Sequence, residues 1–277
     1  MWYQDIGLKY PIFQGAMSWI ATPTLVAAVS NEGGLGILAS GGRTASELRD
    51  MIRQTKRMTK RPFGVNLVLF EKNASALCKV ICEEKVAVVT TGAGTPKSFI
   101  EQLKSAQIKI YPVVPTLKIA RKMLTLAIDG LIVEGMEAGG HIGTETLLTV
   151  LPQVTAITDI PVIAAGGIYD KSSIEAVKCL GAQGGQAGTI FLATEEAEIA
   201  PKYKKLIISA SNPGTTIKKS NAGFPARVLD LGENNQALSL RDAVTKGDVV
   251  KGAFMAGQVA DRVKKIEPLK RVFERLI

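Results

Sequence analysis

The feature that most constrains this chain is a regular alternation of short apolar runs with stretches of helical spacing. Consecutive runs lie about 20 to 30 residues apart, the length of one strand-and-helix unit. The runs are continuously apolar, which is typical of a parallel sheet that is covered on both faces. Eight such runs precede residue 190: 12–13, 35–39, 63–69, 86–90, 109–114, 130–133, 161–165 and 184–187.

The segments between these runs have the apolar spacing of amphipathic helices. They cover residues 46–58, 74–84, 96–106, 117–127, 146–157 and 171–180. Eight units predict an α/β fold, a (β/α)8 TIM barrel over residues 1–193. An open doubly wound sheet is the alternative, but it uses five or six strands and would leave two runs unassigned.

The periodicity changes after Phe191. Residues 195–210 have helical spacing, 212–227 are rich in Gly, Pro and Thr, and 232–236 form a polar loop. Residues 254–263 and 269–276 again have helical spacing. We therefore expect residues 194–277 to form a smaller, mostly helical cap, whose last helix packs on the barrel or on a second subunit in a homodimer.

Several classes of protein are disfavoured by the composition. The chain has three cysteines, no Cys-x-x-Cys pair and one histidine, so we expect no metal site. No apolar run is long enough to span a bilayer and the first residues lack a signal pattern, which favours a cytoplasmic protein without a membrane partner.

The net charge of +9 favours an acidic partner. Aromatic residues make up only 5%, which argues against nucleic acid.

Two features at the predicted strand ends suggest a binding or catalytic site, because the active sites of barrels lie at the carboxyl ends of the strands. Gly166-Gly167 and Gly188 follow the last two runs, where backbone amides can approach a phosphate, although such glycines also serve tight turns. His141 lies in a glycine-rich segment after the sixth run. An imidazole there suits proton transfer, although a lone histidine is often a packed loop residue.

Two other patterns are weaker. Gly34-Leu35-Gly36 has the letters of a dinucleotide fingerprint, but these glycines lead into a strand instead of leaving one, so we reject that interpretation. Glu134 and Glu137 could form an acid pair, whereas a capping or solvated role fits Glu137 equally well.

Several motifs together resemble the FMN-dependent enoyl-acyl-carrier-protein reductase II enzymes and their relatives, the nitronate monooxygenases. The resemblance covers nearly the whole chain. The motifs are Pro-Ile-Phe-Gln-Gly-Ala-Met at 11–17, Gly-Gly-Leu-Gly at 33–36, Pro-Phe-Gly-Val-Asn at 62–66, Glu-Ala-Gly-Gly-His at 137–141, Ile-Ala-Ala-Gly-Gly-Ile at 163–168 and Phe-Met-Ala-Gly-Gln at 254–258.

The resemblance implies an FMN at the barrel mouth. Its phosphate would lie at Gly166, Gly167, Gly188 and Thr189, its ring near Ala16, Met17, Asn66, Glu134 and Gly139, with Gln186 also in the cofactor site. His141 would be the catalytic residue. The implied reaction is hydride transfer from NAD(P)H to flavin, and from flavin to the β-carbon of an enoyl thioester.

The two branches of the family imply different activities. Nitronate monooxygenases tend to have glutamine where this chain has Glu134, and residues 89–94, 111–115 and 134–137 resemble the reductases. We therefore predict an enoyl reductase of fatty acid biosynthesis, with acyl carrier protein or a small molecule as partner, and oxidation of alkyl nitronates with O2 as the alternative. The chain departs from the family at Ala16, usually Gly, at Ile190, usually Arg, and in a short segment 227–252.

Overall fold

The computed structural model describes residues 1–220 and 223–277. Eight parallel strands alternate with helices around a nearly closed barrel, which confirms the predicted TIM barrel and all eight predicted strands. A parallel bridge between Phe13 and Leu35 joins the first and second strands and closes the ring. The barrel strands are β1 (Ile12–Gln14), β2 (Ile37–Ala39), β3 (Gly64–Val68), β4 (Val88–Gly92), β5 (Lys109–Val114), β6 (Leu131–Glu134), β8 (Val162–Ala165) and β9 (Gly184–Ala187); β7 (Gly140–His141) belongs to a second sheet.

Seven helices follow the strands within the barrel. They are α1 (Pro23–Asn31), α2 (Ala45–Met58), α3 (Ala74–Glu83), α4 (Ile100–Ser105), α5 (Leu117–Met123), α6 (Leu147–Thr155) and α7 (Lys171–Cys179). Helix α1 was not predicted. Six of its nine residues are buried, so the helix has no polar stripe to give its sequence a helical period.

Glycines allow α1 to lie close to β2. A Cβ on Gly36 would overlap the backbone of Val26 in α1, and a Cβ on Gly34 would lie 2.8 Å from the carbonyl oxygen of Ile12. These glycines are therefore packing residues that precede β2, in agreement with the rejection of a dinucleotide loop.

Large side chains fill the barrel interior toward the amino ends of the strands. Phe13 and Tyr111 are buried with ring centroids 5.8 Å apart, and Trp2 packs 6.1 Å from both rings. Buried Ile132 and Ile163 belong to the same cluster. Because this end is a packed core, ligands can enter only at the carboxyl ends of the strands.

The region after the barrel contains a β-hairpin as well as helices. Strands β10 (Thr215–Lys219) and β11 (Pro225–Leu229) pair antiparallel, and β11 also pairs with β7. The segment 212–227 was described from its sequence only as rich in Gly, Pro and Thr, and these strands were not predicted. Its β-branched and apolar residues become a strand because β7 offers a distant partner that no local pattern reveals.

Three helices complete this region: α8 (Pro201–Ile208), α9 (Leu240–Lys246) and α10 (Leu269–Glu274). The predicted helix at 195–210 begins only at Pro201, and 254–263 contains a 3₁₀ turn instead of an α-helix. Helix α10 packs on its own barrel, where the rings of Phe273 and Tyr10 lie 5.9 Å apart. A homodimer thus gains no support from this helix and stays a prediction. Within residues 1–220 and 223–277, no helix is long and apolar enough to cross a membrane.

Substitution of Gly36 by Ala tests the close packing of α1 on β2. Because the new methyl group would overlap the Val26 backbone, we expect Gly36→Ala to lower the free energy of unfolding by about 1–3 kcal/mol. Gly92→Ala is the matched control, since nothing lies within 4 Å of a Cβ at that position. Chemical denaturation measures both changes, and equal stabilities of the two variants would contradict the packing role.

Candidate active site

A cavity of about 920 Å³ opens at the carboxyl ends of the barrel strands. It is walled on one side by the β10–β11 hairpin and floored by the strand ends. Every residue that the sequence predicted for the site lies on its wall: Ala16, Met17, Asn66, Glu134, Gly139, His141, Gly166, Gly167, Gln186, Gly188 and Thr189. The structure thus brings together residues from six strands or the loops that follow them.

The sheet register explains why distant parts of the sequence meet here. Glu134 at the end of β6 pairs with Ala165 of β8, and Ala165 pairs with Gln186 of β9. Gln186 in turn pairs with Phe13 of β1. Parallel strands in this register end at one level, so the loops that leave them surround a common space.

The two glycine-rich turns present free backbone donors. Gly166 and Gly167 have φ values of +111° and +71°, which L side chains rarely adopt. Among the described residues, no acceptor bonds the backbone N–H of Gly166, Gly167 or Gly188. A Cβ on Gly167 would meet nothing within 4 Å, so this turn borders open space. Unpaired amides in a left-handed turn form a concave anion site.

Hydrogen bonds and packing hold the neighbouring residues that are expected to bind the cofactor. The side-chain amide of Asn66 donates from Nδ2 to Thr90 Oγ1 at 3.0 Å. Thr189 Oγ1 accepts a 2.8 Å hydrogen bond from the backbone N–H of Gly257, which ties β9 to the C-terminal region. Met17 Sδ lies 3.6 Å from the position a Cβ on Gly188 would take, so the β1 loop covers the second glycine turn.

Glu134 is an unpaired carboxyl group in the cavity wall. Burial raises the pKa of the Glu134 carboxyl to about 8, and no described residue donates a hydrogen bond to it. The group is therefore mostly protonated at neutral pH and can donate a hydrogen bond to a ligand.

Glu137 has a different role from Glu134. The backbone N–H of Leu147, the first residue of α6, donates to Glu137 Oε1 at 2.9 Å and to Oε2 at 3.0 Å. The carboxylate thus satisfies an open donor at the start of this helix. The structure therefore supports the capping role of Glu137 and does not support an acid pair with Glu134.

His141 is held beside the cavity by strand pairing. It lies in β7 opposite Ala226 of β11. Its Nε2 is 3.1 Å from Ser220 Oγ, and the Phe224 ring stands edge-on with centroids 6.1 Å apart. Burial lowers the pKa of the His141 imidazole, so at pH 7 the ring is mostly neutral, a form that accepts a proton and that can pass one on once it is protonated.

The hairpin residues at the site were missed by the sequence analysis. Arg227 is 4% exposed, and its Nε donates to the Met136 carbonyl at 2.9 Å while Nη1 donates to Thr215 Oγ1 at 3.2 Å. It links the hairpin to the loop that carries His141. Two short runs with β-branched residues, separated by a turn containing Gly223, were the available signal for a hairpin.

Several known proteins are similar to this chain in sequence or in structure. The profile of the nitronate monooxygenase family matches residues 2–77 and 74–277. A hydroxy-methyl-oxo-octahydroindene-carboxyl-CoA dehydrogenase of Rhodococcus jostii is 34% identical over 96% of this chain and 73% of its own length. A nitronate monooxygenase of Paraburkholderia phytofirmans is 31% identical over 81% of this chain and 74% of its own. The structure of FabK from Thermotoga maritima superposes with a TM-score of 0.94 and 40% identity, covering 99% of this chain and 93% of that one.

The raised pKa of Glu134 predicts a pH-dependent stability. Between its ordinary value of 4.5 and about 8 the unfolded chain releases the Glu134 proton while the folded chain keeps it, so this group lowers stability as pH rises through that range. Glu134→Gln abolishes the titration. We expect the difference in Tm between ligand-free Glu134→Gln and ligand-free wild type to become more positive from about pH 5 to about pH 8 and then to level off. A difference in Tm that is independent of pH would contradict the raised pKa.

Proposed function

The chain belongs to the nitronate monooxygenase family of oxidoreductases, and within that family we propose that it is an FMN-dependent reductase. It would use NAD(P)H to reduce the 2,3 double bond of enoyl thioesters. The observation that carries the proposal is the similarity to FabK, at 40% identity over 99% of the chain. It agrees with the resemblance of the sequence motifs to the enoyl-acyl-carrier-protein reductases.

The residues at the barrel mouth fit an FMN. The unpaired amides of Gly166, Gly167 and Gly188 suit its phosphate, and no side chain stands where a Cβ on Gly167 would point. Ala16, Met17 and Asn66 line the part of the cavity assigned to the ring, together with Glu134 and Gly139. When bound, the flavin supplies hydride transfer between NAD(P)H and the substrate.

The protein's own contribution is to position groups and to move protons. His141 lies at the open side of the cavity, where it can orient a thioester or supply the proton that the α-carbon gains on reduction. Protonated Glu134 can donate a hydrogen bond to the cofactor or the substrate without placing a negative charge near the incoming hydride. Arg227 keeps the loop between Glu134 and His141 against the hairpin.

The nature of the relatives favours a thioester substrate. The name of the Rhodococcus jostii enzyme contains a carboxyl-CoA group, and that protein matches 96% of this chain. The cavity of about 920 Å³ is larger than a flavin ring requires alone, and its wall includes apolar side chains such as Ile119, Phe70 and Leu238. An acyl chain can therefore share the space with the cofactor.

Anaerobic mixing tests the proposal directly. Purified FMN-loaded protein is expected to lose its oxidised flavin absorbance on mixing with NADH or NADPH, and to regain it on addition of crotonyl-CoA or of crotonyl-acyl carrier protein. The absence of flavin reduction by both nucleotides would overturn the reductase proposal.

Nitronate oxidation is the second candidate, because the family profile and the Paraburkholderia phytofirmans relative carry that name. That activity would oxidise an alkyl nitronate, such as that of 2-nitropropane, with O2 as the oxidant, and a bound flavin would supply the electron transfer between them. The same apparatus distinguishes the two activities, since reduction by the nitronate without reduction by NAD(P)H would favour the monooxygenase.

His141→Ala tests the role of the imidazole. We expect reoxidation of reduced flavin by crotonyl-CoA to slow by about 10²-fold or more, because a positioned acid or base contributes at least that much. The rate of flavin reduction by NAD(P)H and the affinity for FMN should change far less, which makes the reductive half-reaction an internal control. Equal losses in both half-reactions would indicate a damaged site instead of a lost proton donor.

A further inference from the structure

Two lysines at the end of β10 bring positive charge to the cavity mouth. Lys218 and Lys219 both line the cavity. Lys218 Nζ donates to the backbone carbonyl of Asn235, and the buried Asn235 side chain donates to the carbonyls of Val249 at 2.8 Å and Gly252 at 2.9 Å. No described carboxylate forms an ion pair with either lysine. The mouth therefore has a cationic edge in which Lys218 is held in place, and no described carboxylate neutralises its charge.

The sheet register gives the distance of this edge from His141. Lys218 pairs with Ala226, and Ala226 pairs with His141, so two strand spacings separate Lys218 from the histidine. At about 4.8 Å per spacing, the backbones lie about 10 Å apart, and a lysine side chain adds further reach. A ligand that touches both groups must be a long molecule with its anion remote from the reacting end.

The cavity mouth beside His141 is apolar. Phe70 and Phe224 are 55% and 51% exposed, and their ring centroids lie 6.5 Å apart across the mouth. Phe224 also contacts the His141 ring. Exposed aromatic rings of this kind favour a flexible uncharged chain, which gains by covering them.

A phosphopantetheine thioester has this order of groups: an acyl thioester, an uncharged arm and a phosphate. We propose that Lys218, which shares a sheet face with His141, binds the phosphate of the phosphopantetheine arm, that Lys219 adds positive charge at the rim of the cavity, and that the enzyme is thereby selective for thioesters carried on that arm. The inference rests on the proposed thioester reductase function and adds the group by which the substrate is recognised. An alkyl nitronate carries its charge at the reacting carbon and has nothing to reach the lysines.

The test compares two substrates that differ only in the phosphate, crotonyl-phosphopantetheine and crotonyl-pantetheine. For the FMN-loaded wild type we expect kcat/KM to be about tenfold or more higher with the phosphate, the effect of a charge-assisted contact. The preference should disappear in Lys218→Ala/Lys219→Ala and persist in Lys218→Arg/Lys219→Arg. The matched control is Lys202→Ala/Lys205→Ala, which removes the same charge from exposed positions on α8, away from the cavity.

The outcomes separate this inference from the proposed function. If wild type reduces both thioesters equally well, the lysine inference is wrong and the reductase stands. If it reduces neither, the reductase proposal is wrong, and calorimetric titration with phosphopantetheine and pantetheine still decides the phosphate site, because equal affinities would overturn it. Loss of the preference in the Lys202→Ala/Lys205→Ala control would show a general charge effect and also overturn it.

The source of the arm is decided by a parallel comparison. Crotonyl-CoA and crotonyl-acyl carrier protein both carry the phosphopantetheine phosphate, and both should lose kcat/KM in Lys218→Ala/Lys219→Ala. The carrier with the higher kcat/KM in wild type is the source of the arm. A loss with only one carrier would mean that the lysines contact that carrier and not the shared phosphate, and this result, like no loss with either, would overturn the inference.

Discussion

The pairing of β7 with the β10–β11 hairpin is the interaction on which the site depends. A two-residue strand, Gly140–His141, would not hold its position alone, but its ladder to β11 fixes the histidine above the barrel mouth. The same pairing turns the hairpin into one wall of the cavity. A loop from the barrel and a hairpin from the C-terminal region of the chain therefore form the wall of the cavity together.

Buried polar groups stabilise this junction. Arg227 is almost fully buried and donates hydrogen bonds to both the β6–β7 loop and β10, and Glu137 in that loop closes the start of α6. Removing one partner would leave a desolvated charge or an open donor, which usually costs more free energy than a surface contact supplies. The site residues themselves, Glu134 and His141, carry no ion pair with a described residue, so their protonation states respond to burial.

Much of the barrel could be predicted from sequence, because continuous apolar runs such as 109–114 and the glycines after β8 and β9 are local signals. The strand register then follows from the fold, and it gathers Glu134, Gly166 and Gln186 at one rim. Helix α1 was missed since six of its nine residues are buried and it has no clear polar stripe. The pairing of β11 with β7 was missed because the two strands lie far apart in the chain, and with it the positions of Arg227, Lys218 and Phe224 at the site. The composition of 212–227 does not indicate that β7 is the partner of β11.

The central proposal is that the amides of the β8 and β9 turns, which have no acceptor among the described residues, hold the phosphate of a flavin beside His141. Its most direct test compares FMN with riboflavin, which has the same ring and lacks the phosphate. By titration of flavin-free protein, followed by flavin fluorescence, FMN should bind about 10²-fold or more tightly than riboflavin, since several charge-assisted hydrogen bonds depend on the phosphate. Equal affinity for the two flavins, or no binding of either, would contradict the account.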